Sequence, residues 1–205
     1  MRDIKLTYFD FDGGRGEDCR LALHLAGVPF TDERVLGKTW AERKATTPFG
    51  ALPVLQVDGR VLSSSNAILG WIGETYGLLP EDPWERACHL AVLDCAEDLR
   101  KAAERTHRDD EEAKLVARGE FAAGYLRSWL GAMSDQIGDG PFLAGDAPGV
   151  ADLKLFVMLG AYARGVFDGI PDTVLVDFPK LVRLLDAAAA HPRVRSWYDE
   201  VRASE

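Results

Sequence analysis

Cysteine and methionine are scarce in this 205-residue chain, three of each, and basic side chains are outnumbered by acidic ones, 24 against 33. The cysteine shortage argues against a disulfide-stapled fold, because Cys19, Cys88 and Cys95 are odd in number and form no C-x-x-C pair. Cys88 and Cys95 would stand about 10 Å apart along a helix, too far for a bridge. Free thiols suit a reduced, cytoplasmic setting. His24, His89, His107 and His191 lack metal-ligand spacing, so no metal is expected. The net charge of −9 argues against nucleic acid or an anionic membrane as partner, since both need a basic footprint. Long apolar runs are missing too. The start of the chain carries Arg2, Asp3 and Lys5 and no apolar core of signal-peptide length. The most apolar stretch, Val150 to Phe167, contains Asp152, Lys154 and Arg164, which predicts a buried helix and not a membrane span.

What is present is an ordinary globular composition, 47% hydrophobic and 28% charged, enough for one large domain or two small ones. Ile4–Phe9 reads as a strand broken by Asp12-Gly13-Gly14, and Glu17 to Ala26 as a helix ended by Gly27. Phe30–Leu36 reads as a second strand, followed by a loop or short helix around Trp40–Thr46. Leu52–Val57 and Arg60–Leu62 flank Asp58-Gly59, a two-residue hairpin signal. Ser65 is expected to N-cap a helix from Asn66 to about Tyr76. Past Pro83 the pattern is helical throughout: Trp84 to about His107, Glu111 to Ile137, Val150–Val166, Pro179–Ala190 and Arg193–Arg202. The expected architecture is an α/β unit joined near residue 80 to an all-α one.

The first turn invites two chemistries. Asp10-x-Asp12-Gly13 after a hydrophobic strand resembles the opening of haloacid-dehalogenase-type phosphatases, where two such acids act with magnesium. Gly14 and Arg15 stand where that family carries Thr or Val and an apolar residue, and the only candidates for its late acidic pair are Gly145-Asp146 and Asp152, the last in a predicted helix, so Asp10 and Asp12 read as turn acids. A calcium loop would need a Glu at the twelfth position from Asp10, and a Walker loop a Gly-Lys-Ser/Thr; neither is there.

The second chemistry rests on an ordered set. Lys5-Leu-Thr-Tyr8-Phe, Gly14-Arg-Gly-Glu17, Trp40 with Lys44, Pro48-Phe-Gly-Ala-Leu-Pro-Val54, Val57-Asp-Gly59, Ser64-Ser65, Ala67-Ile68 and the later Ala151-Asp152 follow one another along nearly the whole chain. In that order and spacing they resemble a cytosolic glutathione transferase, of the sigma class that includes the haematopoietic prostaglandin D synthases. The resemblance implies a thioredoxin-like α/β domain at 1–78, a linker at 79–83 and an all-helical domain at 84–205. It also implies glutathione as co-substrate, a small electrophile as second substrate and a homodimer.

The roles it implies are specific. The neutral phenol of Tyr8 donates to the glutathione sulfur, and Arg15 adds positive potential there, although its turn is one residue longer than in the sigma pattern. Trp40 and Lys44 meet the glycine end. Leu52 precedes a cis Pro53 and offers its backbone to the cysteinyl moiety. Ser65 takes the γ-glutamyl carboxylate at a helix start, beside Ser64, where the family usually has Gln or Glu. Asp98 reaches the neighbouring subunit's ligand, from a helix face where Asp94, Glu97 and Asp98 would otherwise repel or gather a cation. Phe11, Gly14 and the Glu97–Arg105 helix face are expected to wall the electrophile's pocket. Conjugation is the expected reaction. A glutathione-dependent isomerase or peroxidase would use the same thiolate, and a non-catalytic glutathione-binding protein, favoured by Ser64, is the rival of another class.

The capping box before Asp152 has Gly149 where the family carries Ser or Thr, so only half of the reciprocal pair is expected. The acidity is uneven: residues 1–78 hold nine basic and ten acidic side chains, the remainder fifteen and twenty-three.

Overall fold

The computed structural model describes residues 2–204, with side chains through 199. Strand β1 (Ile4–Phe9) alternates buried and half-buried residues, placing Ile4, Leu6 and Tyr8 on one face. It pairs in parallel with β2 (Thr31–Val35) and antiparallel with β3 (Val54–Val57), and β3 pairs antiparallel with β4 (Arg60–Ser63), in the order β2-β1-β3-β4. The parallel pair needs a crossover, supplied by helix α1 (Gly14–Leu25). The hairpin turn is the one that Asp58-Gly59 predicts, with φ of 48° and 81°. A single turn α2 (Trp40–Arg43) sits among 3-10 turns between β2 and β3, and α3 (Ser65–Tyr76) packs beside α1. This is the thioredoxin-like order the resemblance implies.

The second half is all helix: α4 (Pro83–Glu104), α5 (Glu111–Phe121), α6 (Arg127–Gln136), α7 (Val150–Ala163), α8 (Pro179–Ala190) and α9 (Pro192–Ser204). Asp82 caps α4 by accepting from the Trp84 and Glu85 N–H groups, and Asp110 caps α5 through that of Ala113. The single helix expected at 111–137 is interrupted by a π-turn, Ala122–Leu126, which joins α5 to α6. Helix α7 forms the centre, packed by α1, α3, α4 and α8, and most of its residues are buried. Asp152 accepts from the Gly149 and Leu143 N–H groups, both at 2.9 Å, while burial pushes its carboxyl up to about 6.

Helix α1 corrects the sequence reading. It begins at Gly14 and not Glu17, and Glu17, Asp18 and Arg20 are buried with the apolar residues between them. Apolar periodicity alone would place these charges in water. They are buried because each has partners, and because α1 lies between the sheet, α3, α7 and α9. Cys19, on the same helix, is fully buried and its thiol is held protonated, whereas Cys88 and Cys95 are exposed; all three are free. Among the described residues no helix is long and apolar enough to cross a membrane.

Candidate active site

Tyr8 ends the buried row of β1, and the turn after it is built around that ring. A Cβ on Gly16 would lie 2.0 Å from the ring's Cδ1, so only glycine lets the first turn of α1 pass there. Gly14, with φ of 64°, has the Tyr8 hydroxyl 2.9 Å from where its own Cβ would be. The fully buried Arg20 ties the turn from inside: it donates to the Phe9 and Phe11 carbonyls and to both Asp32 oxygens, with its guanidinium 5.7 Å from the Tyr8 ring centre. Tyr8 is 5% exposed. Burial pushes the phenol above its ordinary pKa, opposed by the Arg15 guanidinium and backbone amide, so it stays neutral and keeps a proton to donate.

Two hollows meet at this turn. An apolar cavity of about 490 Å³ is lined by Tyr8, Phe11, Ala103, Met158, Tyr162 and Phe167 among others. A polar cleft of about 550 Å³ is lined by Leu52, Ser64, Ser65, Asn66, Glu97 and Asp98 among others. Arg15 borders both. Its Nε donates to Glu97 at 2.8 Å and its Nη2 to Glu104 at 3.1 Å. Burial works against the guanidinium's charge, and these two carboxylates more than restore it. Glu97 in turn accepts from Lys154 at 2.6 Å and Arg100 at 3.2 Å. Burial opposes its charge, but Lys154 and Arg15 hold the carboxyl down at about 2.

The structure therefore gathers Tyr8, Arg15, Leu52, Ser64, Ser65 and Asp98 around one pair of hollows. The Leu52–Pro53 bond is cis. Ser65 is buried and stands as the first residue of α3, not its cap. The capping position belongs to Ser64, whose φ of 78° is strained for a non-glycine residue and whose side chain makes no capping bond. The first N–H groups of α3 thus point out of the helix end without a side-chain acceptor. Trp40 lies apart, against Phe9, in a groove that shares only Leu52 with the polar cleft. Lys44 is exposed, its stem beside Gly50, and lines neither hollow.

The three carboxylates of α4 expected on one face all line the polar cleft, each with partners of its own. Glu97 turns inward to its three cations, Asp94 accepts from Asn66 at 2.7 Å, and Asp98 lies on the rim 3.7 Å from Lys101. The residues that would gather a cation are spread over separate partners. Asp10 and Asp12 do not form a phosphatase site: Arg34 holds both, at 3.5 and 2.9 Å.

Family models for the N-terminal and C-terminal domains of glutathione S-transferases match residues 16–75 and 97–200. The chain belongs to the glutathione S-transferase family. It is 30% identical over 201 residues to the human haematopoietic prostaglandin D synthase, covering 96% of each chain. Glutathione S-transferase 1 of Ascaris suum is 45% identical over 99 residues, 48% of each chain. The solved prostaglandin synthase D of Nilaparvata lugens superposes with a TM-score of 0.85 at 27% identity, covering 96% of this chain and 97% of that one.

Within this glutathione transferase fold the predicted cavity walls Phe11 and Gly14 are in place, with Arg100, Ala103 and Glu104 from the expected face of α4. Sequence reasoning missed the opposite wall, Arg118 from α5 and Val157, Met158, Ala161 and Tyr162 from α7. The Arg118 Nε is buried without a hydrogen-bond partner among the described residues. The spacing of 157, 158, 161 and 162 was the available signal, but one helical stripe looks alike whether it meets core or cavity. Phe49, 90% exposed with φ of 59°, was also missed, and it overhangs the polar cleft.

Proposed function

We propose that this protein binds glutathione in the polar cleft, ionises its thiol with Tyr8 and conjugates the thiolate to a small electrophile held in the apolar cavity. The observation that carries the reading is the place of Tyr8: a buried, neutral phenol on the cavity wall, beside Arg15, the one described residue that borders both hollows. A free thiol with a pKa of about 8.5 is only a few per cent ionised at neutral pH. Lowering that value by about two units requires roughly 2.7 kcal/mol of thiolate stabilisation, within reach of a well-aimed donor in a partly dry site. Because burial keeps Tyr8 protonated, it supplies that donor. Arg15 is already paired with Glu97 and Glu104, so its main part is to hold the turn that separates the hollows, with a smaller share of positive potential.

Ser65 and the α3 terminus take the γ-glutamyl carboxylate, where free N–H groups and the helix dipole favour an anion. The Leu52 backbone pairs with the cysteinyl residue as a neighbouring strand would. Trp40 and Lys44 meet the glycine end from beyond Leu52. Asp98, on the rim, serves the γ-glutamyl amine across a homodimer interface. The free thiols suit a cytoplasmic location. A glutathione-dependent isomerase reaction is the second reading, favoured by full-length similarity to a prostaglandin D synthase.

An ultraviolet titration of bound glutathione in the wild type and Tyr8→Phe tests the mechanism. The expected result is a thiol pKa about two units lower in the wild type than in the variant. Equal values in the two proteins would remove Tyr8 from the mechanism, and failure of the wild type to bind glutathione would remove the function.

A further inference from the structure

Lys154 takes no part in the mechanism above and lines neither hollow. It is nonetheless among the largest fully buried side chains of the protein, at 0% exposure on α7. A buried ammonium is costly unless it is hydrogen-bonded and paired. Its two acceptors are Asn66 Oδ1 and Glu97 Oε1, each at 2.6 Å, with Asp18 Oδ2 at 3.9 Å. Both acceptors line the polar cleft. Asn66 follows Ser65 in the first turn of α3, and its amide donates onward to Asp94. Glu97 is the carboxylate that grips Arg15 through its other oxygen.

We propose that Lys154 is a positioning residue for glutathione, holding from beneath the two edges of the cleft, the start of α3 through Asn66 and the Arg15 turn through Glu97. The inference rests on the reading of that cleft as the glutathione site. One ammonium joins three separate elements, α3, α4 and α7. Around it Asp18 and Glu97 face Arg100 and Lys154, with Arg15 on the other Glu97 oxygen. Glu97 would keep Arg15 and Arg100 if Lys154 were lost, but the Asn66 Oδ1 would lose its donor. The start of α3 would then be free to shift against α4. The same stripe of α7 continues from Lys154 through Val157, Met158, Ala161 and Tyr162, which wall the electrophile cavity. A single helix face therefore supports both substrates, with the lysine at the glutathione end.

The test is Lys154→Met in the full chain, with glutathione binding by calorimetry and steady-state kinetics with a chlorodinitrobenzene. The expected result is glutathione Kd and KM weaker by about tenfold, the size of losing a hydrogen bond to a charged group. The KM for the electrophile, and kcat at saturating glutathione, stay within about twofold, as uniform binding requires. Lys154→Gln, which keeps a donor without the charge, recovers part of the affinity and serves as the test if the methionine variant does not fold. Leu155→Ala, fully buried on the same helix, is the control for plain destabilisation: it lowers Tm and leaves the glutathione KM alone. The proposal is overturned if Lys154→Met and Lys154→Gln bind glutathione like the wild type, or if Leu155→Ala raises the glutathione KM as much. A wild type that binds no glutathione overturns the functional reading itself, and this inference with it.

Discussion

The two hollows that share Arg15 are built in opposite ways. The polar cleft is made mostly of short consecutive segments: Phe49 to Leu52, Ser63 to Asn66, and one face of α4. The apolar cavity draws its walls from single residues and adjacent pairs spread along the chain from Tyr8 to Phe167. On the proposed function, the difference teaches where each half of a two-substrate site would get its specificity. Backbone groups fixed by local turns recognise a constant partner, and side chains projected from helices shape a space that can vary without touching those turns.

The sharpest way to break the comparison is at the turn common to both hollows. Gly16→Ala places a methyl group within 2.2 Å of two Tyr8 ring atoms, and the ring cannot move away without leaving its buried row. We expect kcat/KM to fall by at least about 100-fold, the scale of losing a catalytic donor, together with roughly 1–3 kcal/mol of stability from overpacking. Kinetics and chemical denaturation on the same preparation check both. A variant with wild-type activity would mean that the position of Tyr8 does not matter.

The next perturbation separates the hollows. Ser65→Ala should weaken glutathione by about tenfold through one lost bond to a carboxylate, and leave the electrophile KM unchanged. Equal effects on both substrates would show that the polar cleft is not a separate binding unit. Phe11→Ala acts from the other side and is the smallest. Its ring is half exposed and tilted against Tyr8 at 5.6 Å, so truncation should raise the electrophile KM by about fivefold, near 1 kcal/mol of lost apolar contact. Glutathione affinity, measured by calorimetry, should not change. A shift in glutathione affinity with no change for the electrophile would reverse the assignment of the hollows.

The same contrast explains what was legible in the sequence. Asp58-Gly59 announces its turn because only residues tolerating positive φ fit there. Leu52-Pro53 and Ser64-Ser65 could be placed because their chemistry is local, although the cap proved to be Ser64 and not Ser65. Helix ends were close: α8 falls at Pro179–Ala190 as expected, while α7 stops at Ala163 and not Val166. The illegible parts depend on tertiary partners. The burial of Glu17, Asp18 and Arg20 could not be read from their helix, since only the fold brings Trp197, Arg100 and Asp32 to them. Glu97 read as one of three repelling acids, because nothing in its helix announces Lys154 from α7 or Arg15 from α1. Trp40 and Lys44 matched a pattern by spacing, and spacing alone does not show that Trp40 packs against Phe9 while Lys44 stays exposed.

The burial of Cys19 has a consequence for an enzyme of this class. A protein that collects electrophiles beside a nucleophilic sulfur exposes its own sulfur atoms to the same reagents. Cys19 is carried on the helix that starts at the turn after Tyr8, yet it is closed to solvent and held as the unreactive thiol. The two cysteines that can meet solvent lie along α4 and line neither hollow. On the proposed mechanism, no cysteine among the described residues lines either hollow, so the glutathione sulfur is the one thiol held against the electrophile there.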